Sequence, residues 1–154
     1  MYRLAARALA LLSAAVAAST PLAAHADDIA IVPLHEHAER HDMADRMSIR
    51  LVLDRCTALY TFASSTVGSR QTRLLSEYEA MAASFLAAAR VATPEREVLL
   101  MLVLRMSNAY RRYASAQAGG QDPLALPLLQ ADLAYCQRYS ATLKDAPTRK
   151  TAPP

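Results

Sequence analysis

The sequence predicts an all-α protein, a small four-helix up-down bundle with one disulfide joining its first helix to its fourth. Three observations carry that expectation. Apolar residues recur at three- and four-residue steps through four successive segments. Glycine or proline punctuates the gaps between them, at Gly68, Pro94, Gly119–Gly120 and Pro123. The two cysteines, Cys56 and Cys136, each fall on the apolar stripe of a predicted helix, the first and the last.

The chain begins with Arg3 and Arg7, then an apolar run from Ala8 to Ala18, then Ala24–His25–Ala26. This is the pattern of a secretory signal peptide over residues 1–26, with Asp27 as the mature start. The run is well short of the roughly 20 residues that a spanning helix needs. No cysteine stands near the cleavage point to anchor a lipid, and no later segment reaches spanning length without charges. The expectation is a protein of the periplasm or exterior, with no membrane association after cleavage.

Residues 27–41 read as an extended, polar lead-in, with Ile29 to Val32 closed by Pro33. The bundle domain then spans 42–143. Asp42, followed by Asp45, looks like the cap and acidic first turn of the first helix, although a start near Leu34 fits equally. Ile49, Leu53, Cys56, Tyr60, Ala63 and Val67 trace its stripe, and Gly68 ends it. The second helix runs from about Arg70 to Ala92, with Leu74, Tyr78, Met81, Phe85 and Ala89 on one face.

The third helix organises the rest. Thr93 is a natural N-cap, Pro94 suits the first helical position, and Glu95 and Glu97 sit where the helix dipole favours negative charge. Val98 to Leu104 is apolar at every position, almost two full turns, which predicts the most buried helix of the bundle. Met101 and Leu104, however, share a line with Glu97, Asn108 and Ser115, which belongs to solvent. Something else must cover that line, either another element or a second chain. The fourth helix opens at Pro127, or nearer Asp122, and carries Leu129, Leu133, Cys136, Ser140 and Leu143. The tail 144–154, with three prolines and no apolar periodicity, is expected to be disordered.

Cys56 lies eleven residues before Val67, and Cys136 nine residues after Pro127. At about 1.5 Å per residue their heights on antiparallel neighbours agree within one turn. That spacing, in a compartment where disulfides persist, predicts a Cys56–Cys136 bridge. A catalytic redox pair would be close in sequence, as in Cys-x-x-Cys, and that motif is absent.

Charge sets limits on partners. The whole chain has 17 basic and 14 acidic residues, and losing Arg3 and Arg7 leaves 15 against 14, a net charge of +1. Residues 27–46 hold six acids against two arginines, a net of −4, while the remainder carries +5. Such a split can steer a charged partner. The arginines are scattered among acids with no accompanying motif, so nucleic acid is not an expected partner.

Three functional readings follow. The favoured one is an exported, non-enzymatic protein that binds another protein or itself as a homodimer, in an inhibitor, immunity, chaperone-like or accessory role, through an interaction surface at Met101 and Leu104. A second is metal binding. His37, His41 and Asp45 stack at four-residue intervals if their segment is helical, and two imidazoles with a carboxylate suit a transition metal such as zinc, copper or nickel. HExxH is absent, and a solvated polar lead-in explains the same histidines. No other cofactor is indicated. The third is a small helical enzyme or ligand carrier with a pocket of Tyr110, Tyr113 and Arg138, a composition that also describes ordinary half-buried bundle positions. Arg55, Arg105 and Glu77 are the residues an enzyme of that kind would draw on, yet no catalytic spacing compels the assignment and no catalytic residue is named.

Overall fold

A computed structural model describes residues 31–68 and 70–145; the segment expected to be a signal peptide, residues 27–30 and 69, and residues 146–154 of the tail lie outside the described residues. The elements in order are α1 (Leu34–Arg40), α2 (Arg46–Thr66), α3 (Thr72–Ala92), α4 (Arg96–Gln117), a single 3-10 turn (Pro123–Ala125) and α5 (Pro127–Asp145). The fold is all-α, and among the described residues there is no strand.

The lead-in is not extended throughout. Leu34–Arg40 forms α1, and Leu34 is fully buried, so among the described residues there are five α-helices where four were expected. The chain turns between α1 and α2. His41 is extended at φ −129° and ψ 149°, and Asp42 Oδ1 accepts from the Ala44 amide. The cap of α2 is therefore Asp45, whose Oδ2 accepts from the Ser48 amide and hydroxyl, rather than Asp42.

Thr93 also takes a role other than the expected one. It closes α3, its amide donating to the Ala89 carbonyl, and α4 begins at Arg96 with no side-chain cap. Pro94, whose ring disfavours helical backbone in the residue before it, fixes the end of α3 at this point. Thr93 accordingly sits at φ −133° and ψ 89° and is buried. At the other end of the chain α5 continues to Asp145, past the expected boundary at Leu143.

The helix at the centre is α2. Every residue from Val52 to Tyr60 is buried, whereas α4 buries only Leu99, Val103, Ser107, Ala109, Tyr110 and Ala114. The reason is position: α2 packs against α3, α4 and α5, while α3 and α4 touch only slightly. Helix α4 thus has one covered side, and its all-round apolar run does not make it the most buried element. In α2 polar residues hide the same burial from a reading of composition. Thr57 is one, and its hydroxyl donates to the Leu53 carbonyl four residues back.

The core joins these helices through aliphatic side chains and rings. Tyr60 stacks near Phe85 at 5.9 Å, and Phe85 near Tyr139 at 6.5 Å, linking α2, α3 and α5. Burial pushes the Tyr60 hydroxyl up to about 12, as expected for a phenol set among apolar neighbours. The disulfide joins Cys56 to Cys136 across α2 and α5, with both residues fully buried. Its sequence separation of 80 closes a long loop, worth about 4–5 kcal/mol in the chain-entropy account of disulfides.

Candidate functional site

Two polar assemblies flank α2, and they differ in how well their groups are satisfied. The first lies in the core between α2, α4 and α5. Arg55, Tyr110 and Asp132 are almost entirely out of solvent. Arg55 donates through Nε and one terminal nitrogen to the Tyr110 hydroxyl at 3.2 Å, through the same terminal nitrogen to Asp132 Oδ2, and through the other to the Val32 carbonyl at 2.6 Å. The Tyr110 hydroxyl donates to Asp132 Oδ2 at 2.6 Å. Asp132 Oδ1 accepts from the Leu34 amide at 2.7 Å.

Every arm of this assembly has a partner, and its outermost partners are backbone groups of residues 32 and 34. Helix α1 has no side-chain cap of its own. Asp132 supplies one from across the fold, placing negative charge at the helix's positive end. The assembly is therefore a clamp that holds the start of α1 onto α5 and α2. Burial drives the Tyr110 phenol far above its ordinary titration range, with Asp132 adding to the rise and Arg55 opposing it.

The second assembly is a cleft of about 410 Å³ between α1, α2 and α4. Its walls are apolar, from Met47 and Leu51 of α2 and Leu102 and Met106 of α4. Its polar lining comes from His37, His41, Asp45, Ser48, Arg50, Asp54 and Arg55. Among the described residues, two buried atoms of this lining have no hydrogen-bond partner: Asp54 Oδ1 and His37 Nε2. Asp54 Oδ2 lies 3.8 Å from Arg50 Nε. Desolvation raises the Asp54 carboxyl to about 6 despite that arginine. His37 moves the opposite way, lowered first by burial and then by the positive charges of His41 and Arg55. Both groups are thus pushed toward their neutral forms.

The expected His37–His41–Asp45 stack forms only in part. His37 and His41 do meet, their rings stacked with centroids 4.1 Å apart, and His41 Nδ1 lies 3.0 Å from the His37 carbonyl. The turn after α1 takes Asp45 off that helical line, and its carboxylate is engaged in capping α2. Among the described residues no group of three or more His, Cys, Asp or Glu side chains converges to hold a metal ion.

The Tyr110, Tyr113 and Arg138 set does not share this cleft. Tyr110 is sealed in the core, Tyr113 is half-buried against it, and Arg138 is exposed on α5. Arg55 is committed to the clamp, and exposed Glu77 pairs with Arg73 at 3.0 Å.

Met101 and Leu104 lie where the sequence places them. They are 67% and 62% exposed, accompanied by Val98 and Leu100 at 39% and 41%. No described element covers this face of α4. One line of the same helix, Leu102 and Met106, turns into the cleft wall.

Sequence reasoning missed Asp132 and Asp54 as site residues. Both carried a signal. Asp132 stands three residues after Leu129 and four before Cys136, on an otherwise apolar stripe. Asp54 follows the apolar run Leu51, Val52 and Leu53 and stands two residues before Cys56, where a carboxylate demands a reason. Neither a family model, nor a curated protein, nor a solved structure matches this chain, so its function is argued from the geometry.

Proposed function

We infer that this is an exported, non-enzymatic helical protein that binds another protein, and that the outer face of α4 is the surface it uses. One observation carries the reading: Val98, Leu100, Met101 and Leu104 stand partly or largely exposed on a single helix. A cluster of large apolar side chains left facing solvent on a small domain is the usual mark of an interaction surface. The short connections 67–71 and 93–95 support an up-and-down course for the long helices, with this face turned outward. Export accords with the Cys56–Cys136 bond, which persists in oxidising compartments. Among the described residues no helix is long and apolar enough to cross a membrane. The split between an acidic 27–46 segment and a basic remainder gives the encounter an orientation.

The partner suited to this face presents an apolar strip of its own, as an amphipathic helix does. The test is native mass spectrometry of protein isolated from the cells that export it, beside a Met101→Asp, Leu104→Asp double variant. The wild type is expected to carry a second protein or a second copy of itself. The double variant is expected to be a bare monomer with unchanged helicity. A complex that survives both substitutions, or a wild type that is monomeric throughout, overturns the reading.

A further inference from the structure

We propose that the cleft between α1, α2 and α4 is a binding site for a small, uncharged, hydroxyl-bearing apolar molecule, such as a phenol or fused-ring alcohol, independent of the protein-binding face. The volume of about 410 Å³ falls within the range of small-molecule pockets. The walls set the body of the ligand. Met47, Leu51, Leu102 and Met106 present unbranched or γ-branched side chains, and methionine sulfur packs readily against ring edges.

The lining sets the polarity of its head. Asp54 Oδ1 is an acceptor, and His37 Nε2 is a donor or an acceptor according to tautomer. Both are buried and without a partner among the described residues. A buried polar atom left unpaired is costly, and a ligand that supplies the missing bond removes the cost. Asp54 is only 8% exposed at its side chain, so the acceptor is built into the wall rather than displayed at a rim.

The lining charges are mixed and single out neither ionic head. A cation entering the cleft meets Arg50 and Arg55, and an anion meets Asp45 and Asp54. Of these, Arg55 is already bound to Tyr110, Asp132 and Val32, and Asp45 to Ser48. Arg50 stands 3.8 Å from Asp54 Oδ2, and the buried lining atoms without a partner among the described residues are Asp54 Oδ1 and His37 Nε2. A hydroxyl, which both donates and accepts, matches that pair of needs without bringing a charge. Met101 and Leu104 are absent from the lining, so the two surfaces separate cleanly.

The experiment is a titration of the disulfide-bonded mature chain with 1-naphthol, followed by naphthol fluorescence and by backbone amide NMR. The same titration uses 1-methylnaphthalene, which keeps the shape and lacks the hydroxyl, and 1-naphthoate, which carries a charge. Saturable binding of 1-naphthol is expected, with shift changes gathered on residues 37–55 and on Leu102 and Met106. The methyl and carboxylate analogues should bind about tenfold more weakly, the ratio one buried hydrogen bond commands.

Asp54→Leu, which keeps the packing and removes the acceptor, should abolish the preference for naphthol over methylnaphthalene. Leu102→Trp fills the cleft and should abolish binding of both. Met47→Trp at the exposed mouth is the second blocking variant, chosen because a surface position tolerates the change. No saturable naphthol binding by the wild type would overturn the proposal. So would equal affinity for the three probes, or shift changes outside the cleft. A naphthol affinity unmoved by either tryptophan would count equally against it.

Discussion

Asp54 and Arg55 are consecutive residues of one helix, both buried, and they face opposite kinds of environment. Arg55 points into the clamp, where each of its donor groups finds an acceptor on Tyr110, Asp132 or Val32. Asp54 points into the cleft wall, where one oxygen has no partner among the described residues and the other a distant arginine. A buried charge is tolerated when its hydrogen bonds are complete and is expensive when they are not. The contrast separates structure from function within a single turn of helix. The saturated residue holds the fold together, and the unsaturated one is held available.

The comparison breaks first, and with the largest effect, at Asp132. Truncation by Asp132→Ala leaves the Arg55 guanidinium buried without its carboxylate and strips α1 of its only side-chain cap. Removing one partner of a buried pair costs about 3–5 kcal/mol. Urea denaturation monitored by circular dichroism is expected to show a loss of that size. A loss below about 1 kcal/mol would mean that water reaches Arg55 and that the assembly is no clamp.

A middle-sized effect is expected for Tyr110→Phe. The ring keeps its packing while the hydroxyl loses two bonds received from Arg55 and one given to Asp132. The Arg55–Asp132 contact survives, so the cost should fall to about 2 kcal/mol, within the range for bonds to charged groups. Combining it with Asp132→Ala should cost less than the sum of the two, because both act on one network. Strict additivity, measured by the same denaturation series, would show that the three residues do not form one unit.

How much of this was legible in the residues follows from the same contrast. The disulfide was readable because both cysteines lie on apolar stripes whose heights match. The clamp was within reach. Arg55 adjoins Cys56 and Asp132 stands one turn before Cys136, so two opposite charges sit at core positions of helices already joined by a covalent bond. The central place of α2 was obscured, since its buried polar residues Ser48, Asp54, Arg55 and Thr57 make the helix look half-exposed by composition. Thr93 was misread because the non-helical backbone that Pro94 favours before it suits the end of one helix as well as the start of the next, and α4 begins only at Arg96. The cleft had no one-dimensional signature at all. It arises where the turn at residues 41–45 brings His37, His41 and Asp45 to one cleft with residues of α2 and α4, a tertiary event that no periodicity records.

The smallest effect is the one that sharpens the comparison most, because its sign is opposite. Asp54→Asn removes a charge that the native state disfavours, so it should stabilise the protein. The carboxyl titrates near 6 in the folded chain and at its ordinary value of 3.8 when unfolded. Between those values the folded state holds a proton that the unfolded state has lost, and stability therefore falls as pH rises through this window. Above about 6 the penalty is complete, and below about 4 it is absent. A shift of this size corresponds to at most about 3 kcal/mol, reduced to about 1–2 kcal/mol where a cleft admits solvent. Denaturation of wild type and variant at pH 7 and at pH 4 is expected to show the asparagine chain ahead at pH 7 and level at pH 4. An advantage that persists unchanged at pH 4 would place its origin in packing rather than in the buried charge, and the distinction drawn between Asp54 and Arg55 would lose its electrostatic basis.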